Sequence, residues 1–233
     1  MNRETLPIVL VPGFMLDETL WDDFVAAFPQ ERTFIRAGLN HGDSISVMAR
    51  YIVDDLPPRF ILIGFSLGGY VARAIVEQYP QAVAGLVLIA TSLREDSAEQ
   101  QKIKQAAIAA VSASSSFNGI SPSAIAGTLH PQRAGDKTLV AKIRAMGARL
   151  GAEAFRHQAS LVRGHLTTQP ITCPTLVIAA AQDPSRSLDE LQELQASITG
   201  AELQIIDDCG HMLPLEQPAQ LAKAVSEWIE EWD

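Results

Sequence analysis

Two cysteines, Cys173 and Cys209, are all that 233 residues contain. That excludes a disulfide framework and leaves at most a single bridge; with one expected ahead of a strand and the other in a loop beside His211, the usage fits a cytoplasmic location. No apolar run approaches the roughly 20 residues needed to cross a bilayer. The opening MNRETLPIVLVPGF offers only Ile8 to Val11 before Pro12-Gly13 interrupts it, so it reads as a strand and not as an export signal. Positive charge is short: 18 Lys and Arg face 27 Asp and Glu, a formal net charge of −9 that argues against general nucleic-acid binding. His41, His130, His157, His165 and His211 show no metal-ligand spacing and no Cys/His pair resembles a zinc site, so no metal is expected. The one glycine-rich turn, GFSLGG, lacks both the Lys-Ser/Thr of a phosphate-binding loop and the spacing of a dinucleotide fingerprint. No cofactor is implied.

What the chain does have is 47% apolar and 19% charged residues, enough for one substantial core with an inserted subdomain. Short β-like runs recur at Ile8 to Val11, Thr33 to Arg36, Phe60 to Ile63, Gly85 to Ala90, Thr175 to Ala180 and Glu202 to Ile206. Helical spacing separates them at Leu20 to Phe28, Ser44 to Leu56, Leu67 to Gln78, Leu188 to Ile198 and Pro218 to Trp228. This alternation predicts the α/β class, a mostly parallel sheet of about six strands with helices on both faces. Residues 92–168 break it with an Ala-, Ser- and Gln-rich stretch that has helical spacing and no convincing strand. The expected organisation is a core of 1–91 and 169–233 with a helical cap, 92–168, inserted between the fourth and fifth strands. Residues 112–123, SASSSFNGISPS, read as a flexible joint within that cap. The cap carries ten Lys and Arg against five Asp and Glu, a net of +5, so the rest of the chain carries −14.

In an open parallel sheet, ligands gather beyond the carboxyl ends of the strands. After the third expected strand comes Gly64-Phe65-Ser66-Leu67-Gly68-Gly69, then a helical pattern that Tyr79-Pro80 stops. G-x-S-x-G alone is suggestive; strand, turn and helix in that order are what a nucleophile elbow requires. Gly64 and Gly68 supply the small neighbours that a strained serine needs, and the helix N-terminus brings partial positive charge to where an oxyanion forms in acyl transfer. After the first strand, Pro12-Gly13 precedes Phe14, whose amide could form an oxyanion hole with that of Leu67; the alternative is an ordinary strand-ending turn with Phe14 in the core. Asp183 follows the fifth strand and His211 the sixth. Ser66, Asp183 and His211 thus stand in the chain order nucleophile, acid, base. Imidazole would take the serine proton and the carboxylate would orient the ring. Asp183-Pro184 could also be only a helix-starting turn, and Asp207 and Asp208 are rival acids that lie close to His211 in sequence for turning back under its ring.

These motifs resemble the α/β-hydrolase superfamily over almost the whole length outside the cap. Gly64 to Gly69 is similar to the elbow of small carboxylesterases such as the pimeloyl-carrier-protein methyl esterases of biotin synthesis. The resemblance implies Phe14 and Leu67 as oxyanion donors, HGDSIS as the loop after the second strand, and CPTLVIAAAQD and CGHMLPLEQP as acid and base segments. It departs in having Pro12-Gly13 where most members have His-Gly, and in beginning its first strand at Ile8 with no room for preceding antiparallel strands.

The leading expectation is a serine hydrolase cleaving a carboxylic ester or thioester through an acyl-enzyme. Carbon–carbon bond hydrolysis or a lyase reaction on the same residues, and a ligand-binding sensor with residual esterase activity, are the alternatives. The expected partner is a small-molecule ester, anionic or carrier-bound if the basic cap takes part, with neither nucleic acid nor membrane involved. Arg144, Arg149, Arg156 and Arg163 fall in expected cap helices, and Arg156 and Arg163 are the candidates for substrate binding. The competing expectation is that these arginines form a solvated face or hold the cap against the acidic body.

Overall fold

A computed structural model describes residues 5–164 and 170–232 of the chain. Its six strands are β1 (Ile8–Val11), β2 (Phe34–Arg36), β3 (Phe60–Phe65), β4 (Val83–Ile89), β5 (Thr175–Ala180) and β6 (Glu202–Ile206). They form one sheet in the order β2-β1-β3-β4-β5-β6, and every neighbouring pair is parallel. The helices are α1 (Asp22–Ala27), α2 (Ile45–Val53), α3 (Leu67–Gln78), α4 (Ala98–Ala113), α5 (Pro122–Ala126), α6 (Lys137–Ser160), α7 (Leu188–Ala196), α8 (Leu213–Glu216) and α9 (Pro218–Glu230).

Strands β1, β3, β4 and β5 are buried along their whole length. A parallel sheet covered on both faces demands this, which is why these strands read as continuous apolar runs and not as alternating ones. The faces are nevertheless distinct. Ile8, Leu10, Ile61, Ile63 and Phe65 enter one apolar cluster with Phe24 of α1 and Val225 of α9. Val9, Val11, Phe60 and Leu62 point the other way, to Met48 of α2, Val71 of α3 and Leu194 of α7. Period-two alternation of the strand side chains produces the two layers. The edge strands β2 and β6 are only partly covered.

Several boundaries differ from the expected ones for local reasons. The helix expected over Leu20 to Phe28 is a 3-10 turn, Glu18–Trp21, running into α1; the Asp17 carboxylate caps that turn by accepting from the Thr19 N–H. Strand β3 runs on to Phe65, the residue before the sharp turn at Ser66. The short helix α8 had no counterpart in the sequence reading. Between β4 and β5 the described residues form α4, α5, a 3-10 turn at Pro131–Arg133 and α6, with no strand among them. The expected cap end at 168 and core restart at 169 lie outside the described residues, as does His165. Residues 112–123 end α4, cross in a loop pinned by Phe117 against Phe155 at 5.4 Å between ring centroids, and begin α5.

The insertion's basic residues reach across to the acidic body. Lys142 pairs with Asp23 at 2.6 Å, Arg149 with Asp17 at 2.7 Å and Arg94 with Glu193 at 2.7 Å. Exposed pairs of this kind are worth about 0–1 kcal/mol each. They engage three of the insertion's ten Lys and Arg residues. Both cysteines are free thiols.

Candidate active site

The strand order turns at β1 and β3: the chain leaves β1 toward β2 on one side, whereas β3 leads to β4 on the other. The loops beyond their carboxyl ends therefore diverge and open a crevice. Ser66 stands there, directly after β3, with a left-handed backbone (φ 51°, ψ −111°). A non-glycine residue in such a conformation costs on the order of 1–3 kcal/mol and persists only where its surroundings impose it. Here the Ser66 N–H donates to the Ile89 carbonyl at 2.9 Å, and the Ser66 carbonyl accepts from the Thr91 hydroxyl at 2.8 Å and the Gly69 N–H at 3.0 Å.

Close approach explains the glycines around it. A Cβ on Gly64 would stand 2.5 Å from the Gly68 carbonyl oxygen, and one on Gly68 would stand 2.4 Å from that of Pro12. Gly68 thus lets the start of α3 lie against the loop after β1, which brings Leu67 beside the Pro12–Phe14 turn. The Leu67 N–H is the first of α3, where no carbonyl of the helix can reach it. The Phe14 ring is half-buried and packs edge-on against Phe155 of α6, with centroids 5.4 Å apart. Met15, also left-handed at φ 53°, donates its N–H to the Gln158 side-chain oxygen at 2.8 Å. Gln158 is fully buried and its amide nitrogen donates to the Leu39 carbonyl at 3.2 Å. One side chain of α6 therefore holds both the Phe14–Met15 turn and the loop after β2.

Three polar side chains meet across loops far apart in sequence. Ser66 Oγ lies 3.0 Å from His211 Nε2, and His211 Nδ1 lies 2.7 Å from Asp183 Oδ2. The other Asp183 oxygen accepts the Ser185 N–H at 2.7 Å and the Arg186 N–H at 3.0 Å, and the Asp183 side chain is only 1% exposed. With its carboxylate so held, Asp183 favours the His211 tautomer whose Nδ1 carries the proton and whose Nε2 can accept from Ser66. The rival acids Asp207 and Asp208 are both exposed. Cys209 is no competing nucleophile: burial, reinforced by the charge of Glu216, pushes its thiol up to about 12.

The His211 loop is fixed by groups that the sequence reading did not single out. His211 donates its N–H to the Thr128 carbonyl at 2.7 Å. The buried Glu216 carboxylate accepts the Gly210 N–H at 3.0 Å and the His130 N–H at 2.8 Å, and the Glu216 carbonyl takes Arg133 Nη1 at 2.6 Å. Glu216 lies inside the quoted segment CGHMLPLEQP, yet nothing in that string marks a carboxylate for burial. Gln158 carried no signal at all.

Ser66 and His211 open onto a cavity of ≈ 270 Å³, whose apolar wall includes Leu16, Ile125, Ile143 and Met212. Phe14 lines it as well. Of the candidate arginines, Arg163 lines this cavity and Arg156, half-buried on α6, does not. Arg144 donates to the Asn118 carbonyl at 2.9 Å and Arg149 is engaged with Asp17. A cation that was not anticipated, Arg186, joins Arg163 in the wall. It sits three residues after Asp183, in the same loop. Among the described residues no helix is long and apolar enough to cross a membrane.

Known proteins place this arrangement in context. A stretch of 93 residues is 33% identical to a pimeloyl-[acyl-carrier protein] methyl ester esterase of Nitrosomonas europaea, covering 36% of this chain and 37% of that protein, so the match spans little more than a third of that relative's length. Monoacylglycerol lipase abhd6-B of Xenopus laevis is 22% identical over 95% of this chain and 74% of its own. Among solved structures, a thermophilic esterase from Thermogutta terrifontis, with malate bound, superposes with a TM-score of 0.80 at 25% identity, covering 97% of this chain and 90% of that one. With residues 8–224 matching the family described as "Alpha/beta hydrolase family", and with the parallel sheet and the turn at Ser66 already in view, the chain belongs to the alpha/beta hydrolases.

Proposed function

We propose that the protein hydrolyses a carboxylic ester or thioester through an acyl-enzyme on Ser66. The observation that carries this reading is the continuous hydrogen-bonded line from Ser66 Oγ through His211 to the buried Asp183 carboxylate. Ser66 Oγ attacks the substrate carbonyl carbon while His211 Nε2 takes its proton. The tetrahedral oxyanion is met by the Leu67 N–H at the start of α3 and by the Phe14 N–H, each such donor being worth roughly 2.7–4 kcal/mol in other serine hydrolases. The carbon–oxygen or carbon–sulfur bond to the leaving group then breaks, and His211 gives its proton to the departing alcohol or thiol. Water repeats the sequence on the acyl-enzyme, releasing the acid and restoring Ser66. Asp183 acts through the ring, holding its tautomer and stabilising the imidazolium. The 92–168 insertion serves as a cap: Ile125 of α5 and Ile143 of α6 close the apolar wall of the cavity over Ser66. The relatives, two named for ester or lipid hydrolysis over part or most of their length, support this class of substrate.

The test is labelling with a fluorophosphonate together with turnover of short- and medium-chain p-nitrophenyl and methyl esters. Ser66→Ala should lose the label entirely and lower ester turnover by several orders of magnitude, on the scale of the ~10⁶-fold loss seen when a serine protease loses its nucleophile. An Ala variant that still labels and keeps more than a few per cent of activity removes Ser66 from the role.

A further inference from the structure

The cavity over Ser66 is apolar on one part of its wall, yet two arginines, Arg163 and Arg186, also line it. Both side chains are nearly enclosed, 12% and 11% exposed. Among the described residues each makes one ionic contact. Arg163 Nη1 stands 3.9 Å from Asp96 Oδ1, beyond hydrogen-bonding distance, with its guanidinium over the Tyr70 ring at 5.8 Å. Arg186 Nη1 reaches Glu190 Oε1 at 3.3 Å. In both, Nε is buried and has no hydrogen-bond partner among the described residues. Buried donors are normally satisfied, so two orphaned guanidinium N–H groups in one cavity wall require an account.

The two cations are also close enough to oppose one another. Burial is the main influence pushing the Arg163 pKa down; the Asp96 charge opposes it, and the like charge of Arg186 adds to it. Lys104, which pairs with Asp96, is likewise pushed down by burial first and by Arg163 and Arg186 after it. Packing like charges together at a cavity wall is unfavourable unless anions offset them, and here Asp96, already paired with Lys104, and Glu190 are carboxylates that do so among the described residues. Nε–H is one prong of the side-on fork by which an arginine grips a carboxylate, the other being an Nη–H. In each residue the ionic contact falls on Nη1, and the buried Nε–H is left unsatisfied among the described residues.

We propose that Arg163 and Arg186 form a carboxylate-binding end of the Ser66 cavity, so that the ester cleaved carries a second, ionised carboxylate: a half-ester of a short dicarboxylic acid. This rests on the ester-hydrolase reading above and names its substrate class. The cavity's ≈ 270 Å³ lies at or below the small end of the range for ligand sites, which favours a short substrate. The Arg186 backbone is held to the acid loop by its N–H on Asp183, and the Arg163 guanidinium lies over Tyr70, the fourth residue of α3, so both residues are anchored on segments next to Ser66 and Asp183. Surface attraction by a basic rim would need neither feature.

The decisive comparison uses the wild-type chain and two esters of equal length, monomethyl glutarate and methyl pentanoate. Charge-assisted hydrogen bonds in an enclosed site predict a kcat/KM roughly tenfold to a hundredfold higher for the anionic ester. Part of that advantage should persist in high salt, because enclosed pairs are screened less than exposed ones. Arg163→Met and Arg186→Met should each draw the anionic-to-neutral ratio toward one, with thermal melting as the check on folding. Equal turnover of the two wild-type esters overturns the proposal without touching the hydrolase reading. Calorimetric titration of Ser66→Ala with glutarate reads the arginines independently of chemistry. Binding there that Arg186→Met abolishes supports the carboxylate end even if no ester is turned over, an outcome that would sink the hydrolase reading alone; no binding counts against it.

Discussion

Replacing Asp183 by Asn tests the acid in a way that the surrounding hydrogen bonds make quantitative. One carboxylate oxygen accepts two backbone N–H groups, from Ser185 at 2.7 Å and Arg186 at 3.0 Å, while the other faces His211 Nδ1 at 2.7 Å. An asparagine keeps its carbonyl on the two N–H donors and so turns its NH₂ toward Nδ1. That nitrogen must then accept, the ring proton moves to Nε2, and Nε2 can no longer take the proton of Ser66. Flipping the amide would restore the working tautomer but would point NH₂ at two N–H groups. Leaving both unsatisfied costs about 1–3 kcal/mol each, or about 2–6 kcal/mol together. At 1.36 kcal/mol per decade, activity through the flipped form falls by roughly 30-fold to 10⁴-fold, the upper end matching the loss of about 10⁴ known for the equivalent change in a serine protease. KM should change little, since Asp183 does not line the cavity. The assay is kcat and KM on a short p-nitrophenyl ester, with the rate of fluorophosphonate labelling measured alongside. Asp183→Asn within threefold of wild type, or a larger loss from Asp207→Asn or Asp208→Asn, would refute the assignment.

Gly68→Ala should lower both melting temperature and turnover, because its Cβ would meet the Pro12 and Val11 carbonyl oxygens at 2.4 and 2.5 Å and push α3 off the Phe14 turn; unchanged kinetics would show that the turn tolerates displacement. Gln158→Leu strands the Met15 N–H and the Leu39 carbonyl, at about 1–3 kcal/mol each, and should lower the melting temperature by roughly 4 °C or more and reduce kcat, as differential scanning and ester kinetics would reveal. Burial raises the Asp17 pKa, but hydrogen bonds from Arg149 and Thr19 outweigh it and leave the group below its usual value. Its contribution is therefore present above the unfolded-state value and lost as pH falls through the depressed folded one. With Arg149 half exposed the contribution is at most about 1 kcal/mol, so Arg149→Met should flatten the acid limb of a melting-temperature profile by no more than a few degrees.

The core was legible because a sheet buried on both faces writes its strands as unbroken apolar runs, and because Gly64, Ser66 and Gly68 mark a turn that few other structures need. Ser66, Asp183 and His211 could be named from strand ends alone, although only coordinates could show that they touch. The insertion was far less readable. None of the residues of α4 is fully buried, and only the short stripe Ala107, Ile108 and Val111 packs against the Met15–Phe155 cluster, too weak a signal to report which way the helix faces. In α6 the backbone breaks at Gly151 (φ 83°), and a glycine inside helical spacing does not announce which side of the break will pack. Arg163 and Arg186 reach one cavity from segments 23 positions apart, a convergence that no periodicity encodes.

The Glu216 carboxylate has a consequence for how substrate enters. It grips the backbone on either side of a seam, Gly210 in the loop of the base and His130 in the insertion, while His211 itself hangs by its N–H from Thr128. Raising the Thr128–His130 segment from the core would break two hydrogen bonds, His130 N–H to Glu216 and His211 N–H to the Thr128 carbonyl, and so release His211 from one of its anchors. Opening on this side would therefore leave His211 held by Asp183 through its ring and by the Gly210–Glu216 bond through its loop. On the function proposed above, an ester entering on this side meets its full catalytic alignment only once the seam has closed behind it.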